Sequence, residues 1–243
     1  MNASNDKLRL TAHTVVLDIE GTTSAAGFIH GGLYDYARPR LGGWIDEHAH
    51  DPEVAEAVAQ TKRAAALPED ASTAQVVAVL NGWMDQDVKA APLKALQGRI
   101  WARGFELGEL HAQFFEDVVP ALAAWRRAGV RLAVFSSGSV ASQRAWFAHA
   151  PGGDLTPRID AFFDTVTAGP KKQQASYRLI AEALGVEPAR LLFLSDHPDE
   201  LLAARLAGWQ AVAVRRAGEP HQNAEFPGGA LIASFDELEV RAP

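Results

Sequence analysis

Cysteine is missing from all 243 residues. Its absence excludes disulfides, thiolate catalysis and iron–sulfur or cysteine-ligated zinc centres. It fits the reducing cytoplasm in which the protein is expected to act. No apolar run approaches the ~20 residues that span a bilayer. Residues 1–9 are polar where a secretory leader would carry an apolar core, so no membrane partner is expected. Positive charge is also scarce. There are 23 Lys and Arg against 30 Asp and Glu, and the net −7 comes without a basic stripe, which argues against nucleic acid. Repeats and low-complexity tracts are lacking. Apolar material is ample: 48% hydrophobic residues supply a real core for one large domain or two modest ones.

From about residue 130 the pattern alternates strand and helix. Residues 130–135 are a short apolar strand and 139–149 a helix, and 161–166 read as a second strand. A helix over 172–184 follows, with Gly185 placed to stop it. Residues 191–194 form a third buried strand, 198–207 a helix and 211–214 a fourth strand. This alternation predicts an α/β fold with a doubly wound parallel sheet, residues 15–17 supplying its first strand. Residues 25–111 lack strand character. Val76, Val77, Leu80, Met84 and Val88 share one helical face, with Ser72 or Thr73 as cap. Pro92 opens another helix carrying Leu93, Leu96 and Ile100. The expected division is an α/β core of residues 1–24 and 112–243, with an all-helical cap, residues 25–111, inserted after the first strand.

In open parallel sheets, ligands bind outside the carboxyl ends of the strands. The first strand ends in Asp18 and Glu20, followed by Gly21, Thr22 and Thr23. The next ends in Ser136-Ser137-Gly138-Ser139, a later loop carries Gly169-Pro170-Lys171-Lys172, and the third buried strand ends in Ser195-Asp196. Each segment alone has a bland reading as a turn, a solvated helix start or an acidic helix N-terminus. Their order suits phosphoryl transfer. Asp18 can act as a carboxylate nucleophile. Asp196 and the Asp18 region offer hard oxygens to Mg²⁺. Ser136 and the amides of Ser137 and Gly138 can bind phosphate, and Lys171 supplies positive charge. Glu20 can shuttle a proton to the leaving oxygen and then activate water.

These four segments resemble the four motifs of the haloacid dehalogenase superfamily phosphatases. Residues 18–23, Asp-x-Glu-Gly-Thr-Thr with Glu where most relatives carry a second Asp, resemble more closely the acireductone synthases, the enolase-phosphatase family of methionine salvage. Residues 93–101, 115–121, 136–139, 169–171 with Ser176-Tyr177, and 193–196 are similar to the same family, so the likeness runs through most of the chain.

The resemblance implies that Asp18 is nucleophile and Mg²⁺ ligand, Glu20 acid/base and metal-site residue, and Asp196 the third metal-site carboxylate. Ser136, Ser137 and Lys171 match substrate-binding positions, the spacing to Ser176-Tyr177 selecting Lys171 over Lys172. Glu200 would orient metal waters or Lys171. The implied reaction enolises 2,3-diketo-5-methylthiopentyl-1-phosphate and then hydrolyses the enol phosphate to the acireductone. The expected partner is thus a small phosphorylated substrate, and the expected state a monomer.

Departures from the family pattern fall at Ser24 to Ile29, Gly31-Gly32 and His197-Pro198, beside the phosphoryl-transfer residues rather than on them. They leave open a phosphatase of the same superfamily with another small substrate. A phospho-accepting receiver domain is the alternative of a different class, although it would need no helical insertion. His48 and His50 read as a solvated helix end, while His30 and His111 could face the pocket. Trp83 and Trp101 are candidates for an apolar wall against substrate.

Overall fold

A computed structural model describes residues 7–86 and 88–243 of the chain; residues 1–6 of the polar start, and the side chain of His30, lie outside what it describes. Two compact units are present: Met1–Gly27 with Ala112–Pro243, and Phe28–His111.

In the first unit, β1 (Leu8–Thr11) is followed by β2 (Thr14–Leu17), all four residues of which are buried. Four apolar or β-branched residues in succession suit a strand covered on both faces. The chain leaves the sheet through α1 (Ala26–Phe28).

All regular secondary structure among the described residues of the second unit is helical. A π-helical turn over Ile29–Tyr34, containing Gly31 and Gly32, leads to α2 (Asp35–Ala37) and then α3 (Leu41–Glu47). Next come α4 (Pro52–Ala64), α5 (Thr73–Asp85) and α6 (Ala91–Glu106). Local chemistry sets the boundaries. Ser72 and Gln75 form a reciprocal capping box on α5, and Pro92 sits in the first turn of α6. Arg99 ties α6 to the start of α4 through Asp51 at 2.8 Å and Glu53 at 2.6 Å. Trp101 corrects an expectation. It is buried within this unit, its indole N–H donating to the Leu33 carbonyl at 2.7 Å, and so serves as a core anchor rather than a wall. His48 stacks on Trp44 and is bonded to its carbonyl oxygen, while His111 is exposed.

After α6 the chain rejoins the first unit and runs through α7 (Val118–Arg127), β3 (Arg131–Phe135), α8 (Val140–Ala148), β4 (Ala161–Phe163) and α9 (Gln174–Leu184). Then come β5 (Leu191–Ser195), α10 (Pro198–Leu206), β6 (Gln210–Val214), β7 (Ala230–Ile232) and β8 (Leu238–Arg241). The main sheet has the order β4-β3-β2-β5-β6-β7, every neighbour parallel. From β2 the chain builds outward to β4, then returns to the other side of β2 and builds to β7. The reversal opens a crevice at the carboxyl end of β2, where such sheets bind ligands.

β4 is shorter than its sequence reading. It stops at Phe163 because the Asp164 carboxylate accepts from Val166 N, Thr167 N and Val140 N, turning the chain and capping α8. The core beneath the sheet centres on Tyr177, which meets Phe135, Phe193 and Trp209 edge-on with ring centroids 5.3–5.6 Å apart.

Candidate active site

The register that pairs Leu17 with Val134 and with Leu194 sets the geometry. It places Asp18 at the mouth of the crevice and Ser136 and Asp196 one residue beyond, on the two flanking strands. The Asp18 amide still donates to the Leu194 carbonyl at 3.0 Å, so the nucleophile candidate sits on the rigid end of the sheet rather than on a free loop. The chain then turns tightly, the carbonyl of Ile19 accepting from the amides of Thr22, Thr23 and Ser24. Gly21 takes φ +71°, and a Cβ there would lie 2.2 Å from Asp196 Oδ2. Only glycine allows both the left-handed backbone and this approach. Thr22 is fully buried. Its hydroxyl lies 3.4 Å from Asp18 Oδ2 as donor and accepts from the Asp196 amide at 2.9 Å, linking the two acidic strand ends.

Lys171 reaches this point from the loop before α9. Its Nζ is 2.5 Å from Asp18 Oδ1 and 2.7 Å from Glu200 Oε2, and all three side chains are buried. The loop is locked from α9, where Ser176 Oγ donates to the Pro170 carbonyl at 2.7 Å and Tyr177 OH to the Lys171 carbonyl at 2.8 Å. Lys172 is exposed and lies 3.9 Å from Asp199. Glu200, on α10, is further held by Ser195 Oγ at 2.9 Å. Ser136 is buried at the end of β3, its Oγ accepting from the Gly138 amide at 3.3 Å, and Ser137 is half-buried beside it. Glu20 is half-buried in the turn and bridged to Ser24. The structure therefore brings Asp18, Lys171 and Glu200 into direct contact, with Asp196 joined to them through Thr22. Ser136 and Ser137 stand at the neighbouring strand end.

Burial pushes the Asp18 carboxyl up, to about 8, against the pull of Lys171 and with a further push from Glu200 and Asp196. Burial opposes the charge on Lys171, but Asp18 and Glu200 outweigh it and hold the ammonium above its usual range. Asp196 is raised, again mainly by burial, although His221 donates or shares a proton at 2.8 Å. Lys171 thus serves two buried carboxylates directly, Asp18 and Glu200, with a third, Asp196, close by. Such a site is short of positive charge.

Among the described residues no group of three His, Cys, Asp or Glu side chains forms a ready-made metal cage. Mg²⁺ does not require one: it is held by one or two carboxylates, the rest of its shell being water and phosphate oxygens. Asp18 and Asp196, two hard oxygen donors both raised by burial, fit that need.

Several contacts carry no local sequence signal. His221 bonds Asp196 from 25 residues away, Arg216 donates to the Thr22 carbonyl, and Glu219 accepts from the Ala26 amide. Each partner is assembled only by the sheet order.

The parallel sheet with its acidic centre defines the class first. Residues 12–208 match the family model for haloacid dehalogenase-like hydrolases. The solved structure of the UTR4 protein from Saccharomyces cerevisiae superimposes with a TM-score of 0.75 at 29% identity, over 93% of this chain and 99% of that one. CbbY from Rhodobacter sphaeroides, solved with phosphate, shares the fold with a TM-score of 0.58 at 20% identity, over 94% of this chain and 97% of its own. The relatives are narrower still. Enolase-phosphatase E1 of Saccharopolyspora erythraea is 53% identical over 95% of this chain and 97% of its own length. That of Streptomyces avermitilis is 54% identical over 93% and 95%. The chain belongs to the enolase-phosphatases within the haloacid dehalogenase-like hydrolases, and it is a phosphatase. No helix among the described residues is long and apolar enough to cross a membrane.

Proposed function

We propose that the protein converts 2,3-diketo-5-methylthiopentyl-1-phosphate to the acireductone and phosphate, as a Mg²⁺-dependent step of methionine salvage in the cytoplasm. Identity of 53–54% to enolase-phosphatases over 93–95% of the chain supports the substrate, and the absence of cysteine accords with the compartment. The observation that carries the chemistry is the buried Asp18–Lys171–Glu200 contact at the carboxyl end of the central strand. Asp18 Oδ attacks phosphorus, forming an aspartyl-phosphate as the bond to the substrate oxygen breaks. Lys171, kept protonated by its two carboxylates, faces the negative charge that gathers on nucleophile and phosphoryl group. Glu200 holds Lys171 against Asp18. Ser136 and Ser137 donate to the phosphate from the adjacent strand end. Glu20 protonates the leaving oxygen, then takes a proton from the water that hydrolyses the aspartyl-phosphate. Asp18, Glu20 and Asp196 would hold Mg²⁺, which when bound supplies positive charge for the phosphate oxygens and polarises the diketone.

The test follows two signals from one substrate: enol absorbance and released phosphate. Both signals are expected. Efficient hydrolysis of simple phosphate esters without enolisation of the diketo-phosphate would leave a general phosphatase and overturn the specific proposal.

A further inference from the structure

We propose that Arg216, seated by Asp117, is a positioning residue that fixes the spacing of the Asp18 and Asp196 carboxylates by gripping the carbonyl of Thr22. The inference rests on the reading of Asp18 as nucleophile. Arg216 lies just beyond β6 and is 6% exposed. Its Nε donates to the Thr22 carbonyl at 3.1 Å, and Nη1 donates to Asp117 Oδ2 at 2.7 Å and to the Ala233 carbonyl at 3.3 Å. The guanidinium sits 4.4 Å from the centre of the Phe115 ring and 5.0 Å from that of Phe235. Asp117 is itself held by Ser234 Oγ at 2.8 Å and by the amide of Phe235. The planar group therefore has one position.

Thr22 passes this constraint to the chemistry. Its carbonyl faces Arg216 while its hydroxyl bridges Asp18 Oδ2 and the Asp196 amide. Rotation of this one residue would move the hydroxyl and the gap between the two carboxylates together. The same segment holds the loop a second time, where Glu219 Oε2, 8% exposed, accepts from the Ala26 amide at 2.8 Å. A buried ion pair is weak evidence of added stability, since an apolar pair of similar volume often serves as well. A fixed fork aimed at a backbone carbonyl beside the nucleophile is better accounted for by positioning. Lysine cannot reproduce it, because a single ammonium lacks the rigid geometry that reaches Thr22, Asp117 and Ala233 at once.

The experiment compares wild type, Arg216→Lys, Thr22→Val, the double variant and Ser234→Ala, each scored for kcat, KM, Mg²⁺ affinity by calorimetry without substrate, and Tm. Arg216→Lys is expected to lower kcat and Mg²⁺ affinity about 10–100-fold, the range for groups that orient a metal site, with KM little changed. In the Thr22→Val background the same change should add almost nothing, because the hydroxyl it acts through is gone. Ser234→Ala, which leaves Asp117 its bonds to Arg216 and to the Phe235 amide, should lower kcat by less than Arg216→Lys does. Independent, multiplying losses in the double variant would overturn the proposal, as would a fall in Tm with normal kcat and Mg²⁺ affinity. If Arg216→Lys does not fold, Asp117→Asn, which loosens the seat of Arg216 but keeps an acceptor oxygen, is judged by the same coupling with Thr22→Val. Asp18→Asn run alongside separates the two readings. Turnover in that variant refutes the nucleophile. An inactive Asp18→Asn beside an unaffected Arg216→Lys refutes only the positioning role.

Discussion

Gly21→Ala and Gly185→Ala form a matched pair that tests whether Asp196 belongs to the reacting centre. Both glycines adopt left-handed backbone, φ +71° and φ +63°. Alanine in that region costs about 1–2 kcal/mol at either position, a fall in Tm of roughly 2–8 °C for a chain of this size. Their surroundings differ. A Cβ at Gly185 meets nothing within 4 Å, whereas at Gly21 it would lie 2.2 Å from Asp196 Oδ2 and 2.7 Å from its Cγ. To restore an ordinary contact the carboxylate must retreat by roughly 1 Å, a misplacement that costs on the order of 10² in rate when it falls on reacting groups. Gly21→Ala should therefore combine the modest Tm loss with a fall in kcat of about 10²-fold. Gly185→Ala should show the Tm loss alone. Phosphate release at saturating Mg²⁺ and substrate, with thermal melts of the same preparations, separates the effects. Equal kcat in the two variants would refute the reasoning, because the close approach to Asp196 would then have no catalytic consequence.

Lys171→Ala removes the cation shared by Asp18 and Glu200 and should lower kcat by about 10²–10³-fold. Lys172→Ala, which loses only an exposed pairing with Asp199, should change kcat by less than about twofold; comparable losses measured by phosphate release would contradict the site. Glu20→Gln should depress phosphate release by roughly 10²–10⁴ while enolisation persists in part, so that absorbing enol phosphate accumulates at saturating Mg²⁺; parallel loss of both signals would count against separate roles. Asp117 offers a pH test. Burial pushes its carboxyl up, but the hydrogen bond and charge of Arg216, with bonds from Phe235 and Ser234, hold it below the usual range. Its contribution to stability is present above the unfolded value of about 3.9 and is lost as pH falls through the lower folded value. The Tm deficit of Asp117→Asn should therefore be full at pH 7 and shrink below about pH 4, and a deficit independent of pH would contradict the ion pair.

The central strands were legible because parallel strands covered on both faces are continuous apolar runs, as residues 191–194 of β5 are. Once strands and helices alternated, the carboxyl-end rule placed Asp18, Ser136, Lys171 and Asp196 on one edge before any coordinate was needed. β1 and β8 were not legible. Each is four residues long, and they pair with each other from opposite ends of the chain in a separate two-stranded sheet. β7, at three residues, offers too short a pattern to read. The end of β4 was set too late because its termination depends on what Asp164 bonds, not on the hydropathy of residues 164–166. Within the site, the resemblance to the family, whose spacing to Ser176-Tyr177 Lys171 keeps, told Lys171 from Lys172, and the Tyr177 hydroxyl locks that loop. Arg216 and His221 left no such trace: they meet Thr22 and Asp196 across 194 and 25 residues, and only the folded sheet brings them there.

Asp18 is the residue on which the proposed mechanism turns, so Asp18→Asn assayed on the diketo-phosphate at saturating Mg²⁺ is the most direct measurement. The amide keeps the size of the side chain and an acceptor for Thr22 and Lys171 but cannot form an acyl-phosphate. Phosphate release should fall by several orders of magnitude, with Tm showing a folded protein. Phosphate release near the wild-type rate from folded Asp18→Asn would contradict the assignment of the nucleophile.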